Sequence, residues 1–238
     1  MLFKSIILAM AAAELVAGHG AIVKATGDMG GNGTAIGIDA STPRDGTRRT
    51  PFQQDSTRFK NAAADACGET LGGGTNDPAT QVPAMMADAG GLPQISPGGM
   101  VMMTLHQVNG DGAGPYDCMI DSTGTGTGGW VKMQVATNVP GTNSRSKAKA
   151  QDFPLSAKVA ADQTCTGTAG GAEGVCMVRC NNAASKYSRT DPVHQILIPF
   201  TDAGPFGGCV PVQMAGGNAT AAARLARSLK SKAEPFSA

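Results

Sequence analysis

The chain has 238 residues, a formal net charge of +1 and a hydrophobic fraction of 41%, with only 4% aromatic residues. A near-neutral balance excludes the basic footprint of a nucleic-acid binder, and no apolar run reaches the roughly 20 residues of a membrane span. The length fits one domain with a proper core, and 33 glycines point to many turns.

Residues 1–18 read as a secretory signal peptide. Lys4 supplies the positive start, Ser5 to Ala13 the short apolar stretch, and Val16 and Gly18 the small residues of a cleavage site. A cut after Gly18 makes His19 the first residue of the mature chain. Residues 41–92 are polar and loop-rich and read as a long surface insertion, with a helix over Ser56–Ala66. Strands are predicted over Met100–His106, which follows the turn Ser96-Pro-Gly-Gly, and over Trp130–Val135, where apolar and polar residues alternate. Further strands are predicted at Leu155–Val159, Val175–Cys180, Gln195–Ile198 and Cys209–Gln213, mostly separated by Gly, Pro, Asn or Asp. The expected fold is all-β: an immunoglobulin-like or fibronectin-like antiparallel β-sandwich with long loops, one domain over 19–214. That body carries a net charge of about −2 and the tail 215–238 about +3; the tail is Ala-rich, disordered or marginally helical.

Six cysteines follow the leader: Cys67, Cys118, Cys165, Cys176, Cys180 and Cys209. An even count in a secreted protein implies disulfides, whose pairing the sequence leaves open. The alternative, a zinc site at Cys176 and Cys180, has unfavourable spacing and compartment. The sequons at Asn32 and Asn218 agree with secretion.

A histidine at a free N-terminus is a bidentate metal ligand. Its amine (reference pKa about 7.7–8.0) and ring (about 6.5) deprotonate readily near neutral pH, and nitrogen donors suit Cu(II). His19 is one of only three histidines. His106, at the end of a predicted strand and the start of the loop Gln107–Pro115, is the expected second ligand for one copper ion, in preference to a turn-capping role. His194 reads as a strand-edge residue or a hydrogen-bonding neighbour of the metal, and Phe206 as an apolar axial neighbour or simply a core residue. Gly124, Gly126 and Gly129 match a dinucleotide-binding glycine pattern, but no helix is predicted after them. No nucleophile–base pair or carboxylate dyad suggests hydrolysis.

Several longer segments then converge: GHGAIVKATGD (18–28), STPRDGTRRTPFQQDSTRFK (41–60), CGETLGGG (67–74), LHQVNGDGAGPYDCMID (105–121), DFPLSAKVAADQTCTG (152–167), CMVRCNN (176–182) and AGPFGGCVPVQM (203–214). Together they resemble the appressorium-associated virulence-factor family of powdery mildew and rice blast fungi. The resemblance implies a secreted, extracellular protein made during infection-structure formation or host penetration. A second, local resemblance is to lytic polysaccharide monooxygenases, copper-dependent oxidoreductases whose mature chain begins with His. It implies a histidine brace of His19 and His106, with Phe206 at the axial aromatic position before Cys209. Gly204 stands where that pattern commonly has Gln, and His194 or Phe200 near its polar neighbour. The expected partners are cell-wall polysaccharide or a host surface, acting on a monomer without nucleic acid or membrane span. A non-catalytic copper-binding or structural wall protein is the alternative.

Overall fold

Period-two patterning sets the architecture. In the strand Met100–Gln107, Val101, Met103 and Leu105 are buried in the core, while Met102 on the opposite face is 44% exposed. In the computed structural model, which describes residues 19–184 and 204–216 and the backbone of 189–190 and 197–198, it is the seventh of sixteen strands. Before it come β1 (Gly20–Gly27), β2 (Gly30–Gly33), β3 (Thr57–Arg58), β4 (Glu69–Thr70), β5 (Gly74–Thr75), the helix α1 (Pro78–Ala89) and β6 (Gln94–Ile95). After β7 (Met100–Gln107) follow β8 (Tyr116–Asp121), β9 (Val131–Lys132), β10 (Gln134–Thr137), β11 (Gln151–Lys158), β12 (Gly167–Ala169) and β13 (Ala172–Asn182). The ribbon β14 (Arg189–Thr190) with β15 (Leu197–Ile198), and the long β16 (Phe206–Met214), complete the set.

Eight strands run in the order β10-β11-β7-β1-β16-β13-β8-β9. All neighbours on this path are antiparallel except β1 and β16. Its two ends, β9 and β10, are separated in sequence by Met133 alone, a buried residue whose N–H donates to Cys118 O at 2.9 Å. The sheet therefore folds over on itself. Ile22, Val101, Leu105 and Leu155 of one half pack with Ile120, Val178 and Val210 of the other in a single core. This is the expected antiparallel β-sandwich, stapled by Cys67–Cys209, Cys118–Cys180 and Cys165–Cys176. Cys176 and Cys180 bond to different partners, which removes the zinc alternative.

Two expectations are corrected. Ser56–Ala66 is not an α-helix: it holds β3 and a three-residue 3-10 turn at Asn61–Ala63, and the left-handed φ of 56° at Asn61 breaks any α-helix running through it. The helix lies at Pro78–Ala89, started by Asp77, whose carboxylate accepts from Ala79 N at 3.1 Å, with Pro78 in the first turn and Gly90 closing it at φ 72°. The strand expected over Trp130–Val135 breaks at Met133 into β9 and β10, because its halves pair with opposite edges. Strands β1 and β8 were not anticipated. The leader, the tail beyond Gly216 and His194 lie outside the described residues.

A second cluster, including Ile36, Phe59, Cys67, Val82 and Cys209, sits under the 41–92 insertion. Arg179 anchors it from β13. Its guanidinium stacks 4.1 Å from the Phe59 centroid and 5.6 Å from that of Trp130, and donates to Ala64 O at 2.7 Å and Ala66 O at 2.9 Å. Burial pushes its pKa down, with Asp65 acting against that. Arg179→Ala is expected to cost about 2–4 kcal/mol, through two unpaired carbonyls and lost ring contacts. A urea titration checks this; an unchanged midpoint would mean the insertion is held without it.

Candidate metal centre

The site grows from the register of β1 on β7. Ala21 stands opposite His106 and Gly20 opposite Gln107. Since Val101, Met103 and Leu105 face the core, His106 projects from the outer face of the sheet, and Ala21 with it. His19, two residues before Ala21, accepts at its carbonyl from Val108 N, two residues after His106. The two histidines, remote in sequence, are thus neighbours in register at one end of this strand pair. Both residues are buried, at 3% and 2% exposure.

Each histidine is fixed by a side chain. Asp152, opposite His106 in β11, reaches its Nδ1 with Oδ1 at 2.7 Å. A carboxylate only accepts, so Nδ1 donates, and Nε2 is the ring nitrogen left for another partner. The main-chain N–H of His19 donates to Asn109 Oδ1 at 2.6 Å, and His19 O accepts from Val108 N at 2.9 Å. One four-residue stretch, His106–Asn109, therefore carries one ring and grips the other histidine's main chain at both ends.

The following loop is shaped to admit this grip. A Cβ on Gly112 would lie 2.1 Å from His19 O, so only glycine fits. Tyr116 Oη donates to Gly112 O at 2.9 Å, and burial pushes that phenol's pKa up. Asn182 Nδ2 donates to Asp111 O and Ala113 O, both at 2.9 Å, while its Oδ1 accepts from Phe206 N at 2.9 Å. Asn182 thus ties the loop to Phe206, whose fully buried ring lies 4.8 Å from that of His19, tilted by 40°. Phe206 is both a packed residue and a wall of the site. Gly207 lets β16 close in: a Cβ there would sit 1.9 Å from Cys180 O.

The fold brings the His19 ring to Phe206 and the His19 main chain to the strand end that carries His106. The six cysteines are all in disulfides. The glycine pattern at 124–129 is a turn wound on Asp121, whose carboxylate accepts from Thr123 N and Gly126 N at 2.8 Å each, and β9 rather than a helix follows Trp130. Sequence reasoning missed Asp152 and Asn109: the first is related to His106 only through cross-strand register, and the second lay unremarked in the predicted loop. Among the described residues no three His, Cys, Asp or Glu side chains form a group that could hold a metal. No helix among them is long and apolar enough to cross a membrane.

Residues 17–187 match the Egh16-like virulence factor family. The chain belongs to that family. It is 53% identical over 235 residues to the appressoria-specific virulence factor GAS1 of Pyricularia oryzae, covering 97% of this chain and 86% of the relative. It is 38% identical over 149 residues to GAS2 of the same fungus, covering 58% of this chain and 46% of that relative. Among solved structures, a cellulose-active polysaccharide monooxygenase from M. thermophila aligns with a TM-score of 0.34 and 15% identity, over 84% of this chain and 80% of that one.

Proposed function

We propose that this Egh16-like protein is secreted, holds one copper ion between His19 and His106, and oxidises cell-wall polysaccharide. The observation that supports the reading is that two histidines neighbouring in register are each held by a side chain, the His106 ring by Asp152 and the His19 main-chain N–H by Asn109. Three disulfides support an oxidising, extracellular setting.

The donor chemistry fits copper. Removal of residues 1–18 turns the His19 main-chain nitrogen into an amine, which with two neutral imidazoles gives an all-nitrogen set suited to Cu(II). No thiolate competes, since every cysteine is bonded to another. Bound copper would supply one-electron redox chemistry driven by an external reductant. The chain's own residues do the rest. Asp152 holds the His106 tautomer, Asn109 accepts one amine hydrogen and leaves the nitrogen lone pair free, and the Phe206 ring keeps one side apolar. Incubation of copper-loaded protein with ascorbate and plant, insect or fungal wall polymers, read by mass spectrometry, is expected to give oxidised oligosaccharides. Unoxidised products formed without reductant would overturn the reading in favour of hydrolysis.

One observation favours a second reading, copper capture without catalysis: the two histidines are only 3% and 2% exposed. Stoichiometric copper with no oxidised product from any polymer would select it.

Asp152 gives an independent check. Asp152→Ala is expected to weaken copper binding about 10–100-fold while leaving its stoichiometry at one, as loss of an imidazole's hydrogen-bond partner does. Unchanged affinity in a calorimetric titration would remove Asp152 from the site.

A further inference from the structure

The segment between Asn143 and Ala150 is built unlike the rest of the chain. Four non-glycine residues among those described have left-handed backbones: Asn61, Asn143, Ser144 and Ala150. Three of the four bracket this one segment, with φ of 52°, 61° and 47°. Side chains rarely adopt that conformation, and it persists only where the surroundings impose it. Here they do. Ser144 N donates to Gly114 O, Ser146 N to Gly110 O and Ala150 N to Val108 O, each at 3.1 Å. Ala183 N donates to Ser144 Oγ at 2.9 Å. The fully buried Gln107 donates through Nε2 to Ser146 Oγ and Ala148 O, both at 2.8 Å.

These contacts pull Ser144, Ser146 and Ala148 inward. Alternation then turns Arg145, Lys147 and Lys149 outward, and all three are exposed. Three cations thus follow one another at alternate positions on the outer side of the segment. The surrounding body, residues 19–214, carries 14 basic against 16 acidic residues, so this is a local positive strip on a slightly negative surface. Arg145 approaches Asp111 at 3.6 Å, whereas among the described residues neither Lys147 nor Lys149 has a carboxylate partner. Asp152, 59% exposed, is the nearest following acid and is engaged by His106. The strip runs directly into β11 and alongside Val108–Gly110, the stretch that grips His19.

We propose that Arg145, Lys147 and Lys149 form a docking strip for an acidic polysaccharide, a linear polymer of uronate units, beside the His19–His106 site. This names the substrate class of that site and rests on the reading above for any chemistry after docking; docking itself stands on the strip alone. Successive outward cations on a hydrogen-bonded arch match a linear chain with regularly repeated carboxylates. An anionic lipid surface draws on clusters of roughly 4–8 basic residues, more than the strip offers. Single-stranded nucleic acid relies on aromatic stacking platforms, and this chain is only 4% aromatic.

The test is affinity electrophoresis of the purified secreted protein through gels containing polygalacturonate, with fully methyl-esterified polygalacturonate as the uncharged control. Retardation by the acid and not by the ester is expected, falling as salt rises from about 20 to about 300 mM. Lys147→Gln combined with Lys149→Gln is expected to weaken binding about five- to tenfold, with thermal melting and copper stoichiometry unchanged. Equal retardation by the ester, or no change in the double variant, would overturn the proposal. Tighter binding to phosphatidylserine vesicles at the same salt would overturn it in favour of a membrane surface. Loss of copper in the double variant would show that the segment serves the metal instead. A wild-type protein that binds polygalacturonate through these lysines but takes up no copper would retain this inference and end the copper reading.

Discussion

His106→Ala is expected to abolish tight copper binding and to leave the protein folded. Loss of a hydrogen-bonding neighbour costs about 10–100-fold in affinity; loss of a direct nitrogen donor should exceed that, by about 1,000-fold or more. The fold should survive because the side chain sits on the outer face of β7, away from the Val101, Met103 and Leu105 row that packs the core. The group left behind, the Asp152 carboxylate, is 59% exposed and can turn to water. Calorimetric titration with Cu(II), with a thermal melt of the same sample, checks both halves. An affinity within tenfold of wild type would place the second imidazole elsewhere.

Replacing Cys67 and Cys209 together by alanine is expected to produce the largest loss of stability. This disulfide closes the longest loop of the three, with a sequence separation of 142, and the chain-entropy treatment assigns it about 5 kcal/mol. For a domain near 200 residues that corresponds to a melting temperature lower by about 10–20 °C. The effect should reach the candidate metal site. Cys209 lies on β16 three residues after Phe206, and the insertion that the disulfide secures also grips that strand, through Phe59 N to Pro205 O at 2.9 Å and the pairing of Arg58 with Phe206. Calorimetric melting of the double variant is the measurement. An unchanged melting temperature would mean the insertion is held by the Ile36, Phe59 and Val82 cluster alone.

The legible parts of this molecule are those encoded locally. Alternation in Met100–Gln107 and apolar density in β13 and β16 announced strands, and the even cysteine count announced disulfides. What was not legible depends on pairing. Cys118 meets Cys180 because β8 lies beside β13, and Asp152 meets His106 because β11 lies beside β7. Neither register leaves a mark on the sequence near those residues. The helix position differs for another reason: the alanines of Ser56–Ala66 favour a helix, but no proline at its start or glycine directly after its end frames it as Asp77-Pro78 and Gly90 frame α1. β1 buries Ala21, Ile22 and Ala25, two of them small, so its apolar signal is weak beside that of β13 and β16.

The most direct measurement is the N-terminal residue of the secreted protein together with its copper content after dialysis. The chemistry requires a chain that starts at His19 and holds one copper ion, and a variant with one alanine inserted before His19 that holds it far more weakly. A mature chain that begins at another residue and still binds one copper equally well, or one that begins at His19 and binds none, would contradict it.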